Sequence, residues 1–205
     1  MFSGIIERQG KLIRKERQGK HIALTFETQG WEKPLKRGES ISVNGVCLTV
    51  IRSSTKNQFK VQAVPETLAQ TTIGDLCLKE TVNLERSLKW GERIGGHFVL
   101  GHIDGVGRIL RKISHGKSFA LQIDAPPRVM ENIVPKGSIA VDGASLTIQK
   151  ISGRSITVAI IPHTAKRTTI GSKNRGDFVN LEADVIAKHL TVLIQNAESK
   201  AAMKL

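Results

Sequence analysis

The sequence is poor in aromatic residues and in cysteine. Tyr is absent, Phe and Trp make up 4% of 205 residues, and the two cysteines are Cys47 and Cys77. So few aromatic side chains argue against a base-stacking platform, although the net charge of +13 keeps a basic nucleic-acid-binding barrel as an alternative. Two cysteines without CxxC spacing indicate neither a disulfide framework nor a zinc site, and we expect no metal and no nucleic-acid partner.

Long apolar segments and common active-site motifs are also absent. No run approaches the roughly 20 apolar residues that cross a bilayer, and the first ten residues, MFSGIIERQG, lack the pattern of a signal peptide. We therefore expect a cytoplasmic protein without a membrane partner. The phosphate-binding motif GxxxxGK[ST], the zinc motif HExxH and the nucleophile motif GxSxG do not occur.

An internal repeat organises the chain. The segment SISVNGVCLTV at 40–50 returns as SIAVDGASLTI at 138–148, PETLAQTTIGD at 65–75 as PHTAKRTTIGS at 162–172, and VNLE at 82–85 again at 179–182. Two copies with so long a period indicate a duplicated domain rather than a solenoid. We predict an N-terminal domain over 1–97, a C-terminal domain over 98–184 and a terminal helix over 185–205.

Each copy has the pattern of a small all-β domain. Apolar residues alternate on both sides of Asn44-Gly45 and of Asp142-Gly143, and both dipeptides favour tight hairpins. Several short strands with one or two short helices predict a six-stranded antiparallel barrel of Greek-key type in each half. In the tail, Ile186, Leu190 and Leu193 recur at helical spacing, which predicts an amphipathic helix suited to an oligomer interface.

The two copies differ at a few polar positions. Cys47 corresponds to Ser145, Asn44 to Asp142 and Glu66 to His163. A small polar contact that lines a pocket explains Cys47 and Ser145 better than a nucleophile does, because the sequence shows no base beside either residue. His97 and His102 flank the domain junction, but their spacing places them on opposite faces of a strand, so they do not form a metal pair.

Taken in order, MFSGIIE, SVNGVCLTV, GGHFVLGHIDGVG, AVDGASLTI and IPHTAKRTTIG resemble the riboflavin synthases built from two lumazine-binding domains. The resemblance implies an enzyme that converts two molecules of 6,7-dimethyl-8-ribityllumazine to riboflavin and 5-amino-6-(ribitylamino)uracil by moving a four-carbon unit, without metal or organic cofactor. It also implies a homotrimer held by the C-terminal helix, with each active site between the N-terminal barrel of one subunit and the C-terminal barrel of its neighbour. Association with a lumazine synthase capsid, known for some members, is left open.

The resemblance further implies two substrate-binding groups and a set of catalytic residues. The first pocket would contain Gly4, Ile5, Ile6, Cys47, Leu48, Thr49, Gln62, Ala63, Val64, Pro65, Glu66 and Thr67. The second pocket would contain Gly101, His102, Ile103, Lys136, Ser145, Leu146, Thr147, Ile161, Pro162, His163, Thr164, Ala165 and Lys166. Expected catalytic roles are proton transfer by His102, addition to the lumazine ring by Cys47, Ser145 or water, and orientation of these groups by Asp142 and Asp184.

A binding protein of the same fold is the nearest alternative. The lumazine proteins of luminous bacteria resemble the synthases but hold the lumazine as a fluorescent antenna and do not convert it. They have lost pocket residues in the second half, whereas AVDGASLTI and IPHTAKRTTI are intact in this sequence.

Overall fold

The computed structural model describes residues 1–202 and consists of two closed β-barrels followed by a helix. The first barrel contains the strands β1 (Arg8–Gln18), β2 (His21–Thr28), β3 (Ser40–Val43), β4 (Val46–Thr55), β5 (Gln58–Ala63) and β6 (Thr81–Arg86). The second contains β7 (Gly105–His115), β8 (Ser118–Asp124), β9 (Ser138–Val141), β10 (Ala144–Ser152), β11 (Ser155–Ile160) and β12 (Phe178–Ala183). The helices are α1 (Pro65–Gln70), α2 (Pro127–Met130), α3 (Pro162–Arg167) and α4 (Val185–Ala202), with 3-10 turns at Thr72–Asp75 and Thr169–Gly171.

Both barrels have the same antiparallel strand order. Around the first barrel the order is β1, β2, β5, β4, β3, β6, and the second repeats it as β7, β8, β11, β10, β9, β12. This order joins sequential hairpins to a strand that returns across the barrel, as in a Greek key. The prediction of two six-stranded barrels with short helices and a C-terminal helix is confirmed. The predicted boundaries at 97 and 184 remain predictions, and residues 203–205 of the third predicted segment lie outside the described residues.

The strand alternation that the sequence predicted produces one apolar core per barrel. In β4, Val46, Leu48 and Val50 are buried, whereas Cys47 is half-buried and Thr49 is exposed. Side chains two residues apart lie on the same face of a strand, so the interior of the barrel takes one set and the other set faces outward. Cys47 is thereby placed on the outer surface of the first barrel.

The Asn-Gly and Asp-Gly pairs form the predicted hairpin turns. Asn44 and Gly45 have φ values of 45° and 81°, and Asp142 and Gly143 have 44° and 80°. Two consecutive positive φ values define the type I′ turn that matches the twist of a two-residue hairpin. The turns also face each other, since a Cβ added to Gly45 would lie 2.7 Å from the backbone nitrogen of Gly143. The two barrels therefore meet at their equivalent hairpins.

Candidate functional site

Two extended segments cross between the barrels. We call residues 1–6 the first lead and residues 98–103 the second lead, since each precedes the first strand of a barrel. They pair with one another, because the Phe2 nitrogen donates to the Val99 oxygen at 2.7 Å and the Val99 nitrogen donates to the Phe2 oxygen at 3.1 Å. Phe2 and Val99 are fully buried, so this pairing fixes the leads at the contact between the barrels.

Each lead runs between the barrels and also contacts the barrel that it does not precede. The Ser145 nitrogen donates to the Gly4 oxygen at 2.8 Å, and Ile6 belongs to the core cluster of the second barrel. In the same way the Cys47 nitrogen donates to the Gly101 oxygen at 2.9 Å, and Ile103 packs against the core of the first barrel. Each candidate site is therefore built from one barrel and from the lead of the other.

This crossing corrects the grouping expected from the sequence. The residues Gly4, Ile5 and Ile6 were expected in the first pocket, but the structure places their lead on the second barrel, beside Ser145. The second lead, 101–103, which was expected in the second pocket, lies beside Cys47. The expected grouping joined each lead to the strands that follow it in the chain, whereas the structure joins each lead to a strand of the other barrel.

The approach of lead to barrel requires glycine at both crossings. Gly4 has a φ of +76°, and a Cβ there would lie 2.7 Å from the Ser145 Cβ. Gly101 has a φ of +80°, and a Cβ there would lie 2.5 Å from the Cys47 Cβ. Glycine alone adopts this backbone conformation without a steric penalty, so the absence of a side chain lets each lead lie flat beside a small polar residue.

Two buried carboxylates hold the leads in place. Glu85 accepts hydrogen bonds from the Ser3 nitrogen at 2.7 Å, the Ser3 hydroxyl at 2.8 Å and the Gly4 nitrogen at 3.1 Å. Glu182 accepts from the Leu100 nitrogen at 2.8 Å and the Gly101 nitrogen at 2.9 Å. Burial raises the pKa of both carboxyls, that of Glu182 to about 7, and the hydrogen bonds from the leads oppose this effect. Glu85 and Glu182 are the glutamates that end the two copies of the repeated segment VNLE.

The first candidate site is an open cleft of about 430 Å³, a volume within the range of small-molecule pockets. It combines Cys47 on β4, Glu66 and Thr67 on α1, and His102 on the second lead. Helix α4 closes one side with Val185, Lys188 and His189. A 2.7 Å ion pair between Lys188 Nζ and Asp104 Oδ2 joins this helix to the end of the second lead.

The second candidate site contains a serine–histidine pair. Ser145 is half-buried on β10, and its hydroxyl lies 2.7 Å from His97 Nδ1. Burial lowers the pKa of His97, opposed by the charge of Asp184. A neutral imidazole can accept the serine proton through Nδ1, so Ser145 has a base beside it that the sequence did not reveal.

A cleft of about 660 Å³ runs along the first lead, where Ser3 and Ile5 line it together with residues of the first barrel such as Trp31 and Glu85. Ile5 occupies the position that corresponds to His102 in the repeat. The first site therefore has an imidazole on its lead and a thiol on its strand, whereas the second has an aliphatic side chain on its lead and a serine–histidine pair. The two sites are similar in construction and different in chemistry.

Asp142 does not join the other predicted catalytic residues. Its carboxylate is fully buried, accepts a hydrogen bond from the Asn180 nitrogen at 2.8 Å and lies 3.7 Å from Lys173 Nζ. Asp142 also belongs to a hydrogen-bond network between the barrels. In this network the Asn83 side chain donates to the backbone oxygen of Asp142, and the Asn180 side chain donates to the backbone oxygen of Asn44. These contacts indicate that Asp142 positions the barrels.

Asp184 lies at the start of α4 and accepts a hydrogen bond from the Ile186 nitrogen at 2.9 Å. This contact caps the helix that closes the first cleft, while the charge of Asp184 acts on His97 of the second site. The predicted role of Asp184 in orienting the catalytic groups remains a prediction.

The remaining predicted residues have varied exposure. Leu48, Leu146 and Ala63 are buried, whereas Thr49, Thr147 and Lys136 are exposed. The segments that lead into the short helices are mostly accessible: Val64, Pro65, Ile161, Pro162, His163 and Lys166 are exposed, and Gln62, Thr164 and Ala165 are half-buried. The substrate-binding set as a whole remains a prediction.

The structure adds residues that sequence reasoning did not assign. Glu85, Glu182 and His97 all contact a lead or Ser145. A signal for the two glutamates was present, since an acidic residue that recurs inside an apolar strand of both copies indicates a buried functional contact. No comparable signal existed for His97, because its partner lies 48 residues away in the sequence.

Within residues 1–202, no helix has the length and apolar character needed to cross a membrane. The same part of the chain contains no group of three or more His, Cys, Asp or Glu side chains arranged to hold a metal ion.

Comparison with known proteins identifies the construction. The family model of the lumazine binding domain matches twice, over residues 3–87 and 100–184. The chain is 43% identical to the riboflavin synthase of Actinobacillus pleuropneumoniae, over 93% of this chain and 88% of that protein. It is 40% identical to the riboflavin synthase of Bacillus subtilis (strain 168), over 96% and 91% of the two chains. The chain belongs to the riboflavin synthase family. It is an enzyme that converts lumazine to riboflavin.

Solved structures support the fold independently. A crystal structure of LumP complexed with riboflavin has a TM-score of 0.80 at 24% identity and covers 89% of this chain and 99% of that one. LumP complexed with 6,7-dimethyl-8-(1'-D-ribityl) lumazine gives a TM-score of 0.77 at 22% identity, with the same coverage. The similarity to LumP extends to the fold, and the higher identity to the riboflavin synthases carries the enzymatic function.

Proposed function

We propose that the enzyme binds two molecules of 6,7-dimethyl-8-ribityllumazine, one at each lead-and-strand site, and transfers a four-carbon unit between them. Riboflavin and 5-amino-6-(ribitylamino)uracil are released. The observation that carries this proposal is the pair of sites related by the repeat, Cys47 with Gly101 and Ser145 with Gly4. Holding two reactants in register removes the entropic cost of their encounter, which is worth roughly 7 to 11 kcal/mol in the best intramolecular models.

The proposed chemistry needs only proton transfer and a transient addition. One lumazine accepts a nucleophile at C7, the other loses a proton from its C7 methyl group, and the group that was added leaves again when the four-carbon unit has moved. Atoms and electrons balance between two identical substrates, so no oxidant or reductant is consumed. His102 is the proposed proton carrier at the first site, and Ser145 with His97 provides the corresponding pair at the second, 2.7 Å apart.

The ribityl chains are proposed to bind the outer ends of the two sites. Glu66 and Thr67 line the first cleft, and His163 and Thr164 occupy the same positions of the repeat in the second barrel. Carboxylate, hydroxyl and imidazole groups suit the hydroxyls of a sugar alcohol. Backbone groups beside the glycines of the leads would bind the pyrimidine edge of the pteridine.

We further propose a homotrimer in which the first site of one protomer faces the second site of its neighbour. Ile186, Leu190, Val192, Leu193 and Ile194 of α4 are each more than half exposed in the isolated chain. An apolar patch of this kind marks an interaction surface, and a helix that also closes the first cleft would couple assembly to the active site. A cytoplasmic location is proposed with it, supported by Cys47 and Cys77, which are free thiols in the structure.

The test is incubation of the purified chain with 6,7-dimethyl-8-ribityllumazine alone. We expect one riboflavin and one 5-amino-6-(ribitylamino)uracil for every two lumazines consumed, with chromatography measuring all three compounds. Riboflavin formed without the second product, or a one-to-one yield from the substrate, would show that the four carbons come from elsewhere. Tight binding of lumazine without turnover would place the chain with the antenna proteins instead.

A further inference from the structure

The short helices α1 and α3 occupy equivalent places in the two barrels, since α1 follows β5 and α3 follows β11. Helix α1 contributes Glu66, Thr67 and Gln70 to the first cleft. The repeat places His163, Thr164 and Arg167 at the same positions of α3. Thr67 and Thr164 are identical, so whatever differs between the helices acts on the same part of a bound ligand.

The two helical segments have opposite charge. Between 65–75 and 162–172 five positions differ, and four of the differences make the second segment more positive. These four pairs are Glu66 and His163, Ala69 and Lys166, Gln70 and Arg167, and Asp75 and Ser172. The first segment has two acids and no base, a charge of −2, and the second has two bases and no acid, a charge of +2 with His163 neutral.

The basic side chains of α3 are accessible and share one side of the helix. His163, Lys166 and Arg167 are all exposed, and residues three and four apart are neighbours on a helical surface. Among the described residues, none of the three takes part in an ion pair, whereas Lys173 and Lys188 each pair with a buried aspartate. The cationic side of α3 is therefore available to a ligand.

We propose that the second site accepts a flavin whose ribityl chain ends in a phosphate monoester, riboflavin 5′-phosphate. This inference rests on the proposed function, which places a ribityl chain along α3. A neutral ribityl chain forms no ion pair with Lys166 or Arg167. A phosphate carries about 1.5 to 2 negative charges and matches the forked geometry of arginine. The acidic α1 would repel the same group, so the phosphate ester selects the second site over the first.

The phosphorylated flavin would then compete with lumazine at one of the two substrate positions. Because the reaction requires both positions to be filled, occupation of the second site alone blocks turnover. A flavin phosphate formed from the product by a later phosphorylation would in this way restrain the enzyme that makes its precursor.

The experiment compares the binding of riboflavin and riboflavin 5′-phosphate to the full chain by quenching of flavin fluorescence. Two exposed ion pairs predict that the phosphate ester binds roughly five- to twentyfold more tightly at low salt, with the preference shrinking at high salt. The double variant Lys166→Ala, Arg167→Gln installs the residues of the first helix, and we expect the preference to fall to about twofold or less. The matched control Arg111→Gln, Lys117→Ala removes the same charge from the β7–β8 hairpin and should retain the preference.

Three outcomes would overturn the inference: equal affinity for the two flavins in the wild type, a preference that survives the double variant, or the same loss of preference in the control. An arm with excess inorganic phosphate separates free phosphate from the ester. If excess inorganic phosphate displaces bound riboflavin 5′-phosphate but does not displace riboflavin in a parallel sample, the cationic side of α3 binds the free ion and the proposal is wrong. Turnover of lumazine is measured on the wild-type preparation, so that equal affinity for the two flavins together with normal turnover rejects this inference and leaves the proposed function intact.

Discussion

Replacement of Asp142 by Asn should stabilise the enzyme relative to wild type, and by more at neutral pH than at acid pH. Burial raises the pKa of Asp142 to about 6 from its ordinary value of 3.8, and the charge of Lys173 opposes the shift. Because the folded chain holds this proton more tightly than the unfolded chain does, the group favours folding at low pH. Its contribution is lost as the pH rises from about 4 to about 6.

The magnitude follows from the size of the shift. A rise of about 2.2 pKa units at roughly 1.36 kcal/mol per unit is about 3 kcal/mol of unfolding free energy, and the side chain is fully buried, so solvent does not screen it. Asn at this position keeps the contact seen in the first copy, where Asn44 Oδ1 accepts from the Asn83 nitrogen at 2.7 Å. The advantage of Asp142→Asn over wild type should therefore grow by roughly 2 to 3 kcal/mol between pH 4 and pH 8.

Urea unfolding of wild type and variant at matched protein concentration and several pH values measures this difference. The reciprocal variant Asn44→Asp is the control, because Leu76 stands where the second copy has Lys173. At neutral pH, Asn44→Asp should lower the free energy of unfolding by more than the charged Asp142 lowers it in wild type. Adding the substitution Leu76→Lys should recover part of that loss. A difference between Asp142→Asn and wild type that is flat with pH, or that favours wild type increasingly as the pH rises, would refute the reasoning.

Three further predictions concern the sites and the assembly. Gly101→Ala should destabilise the fold by at least about 1 to 3 kcal/mol and abolish turnover, because its Cβ would lie 2.5 Å from that of Cys47. Unfolding and activity assays measure both effects, and normal stability would contradict the close approach. His97→Ala should lower kcat by about a hundredfold and remove the acid limb of the pH–rate profile. His97→Asn, which can still accept from Ser145, should retain more activity, and equal activity in both variants would exclude the base role. The double variant Leu190→Asp, Leu193→Asp should be a folded monomer that does not turn over lumazine. Analytical ultracentrifugation measures its oligomeric state and an activity assay its turnover, and an unchanged oligomer would show that α4 does not hold the subunits together.

The sequence was sufficient for most of the fold because the fold depends on local patterns. Alternation in ISVNGVCLTV sets the inward and outward faces of β4, and Asn44-Gly45 fixes the hairpin through its positive φ values. These signals need only neighbouring residues. The repeat then carried the interpretation of one barrel over to the other.

The site was harder to predict because its contacts join distant residues. Nothing local shows that Gly4 lies beside Ser145 or Gly101 beside Cys47, and the natural assumption that a lead belongs with its own barrel gave the wrong grouping. Asp142 was expected to orient the catalytic groups, yet its carboxylate accepts from the Asn180 nitrogen of the same barrel, and its backbone oxygen accepts from the Asn83 side chain of the other barrel. Which face a turn residue presents depends on packing between domains, and composition does not encode it.

Complementation between two inactive variants tests the central claim, that each active site joins the first site of one protomer to the second site of another. His102→Gln disables the first site and Ser145→Ala the second, and each variant alone should be nearly inactive. After unfolding and refolding together in equal amounts, random assembly into a ring leaves both halves intact at about a quarter of the sites, so about a quarter of wild-type riboflavin formation should return. Recovery near that fraction supports the account, whereas a mixture no more active than its separate components would contradict it.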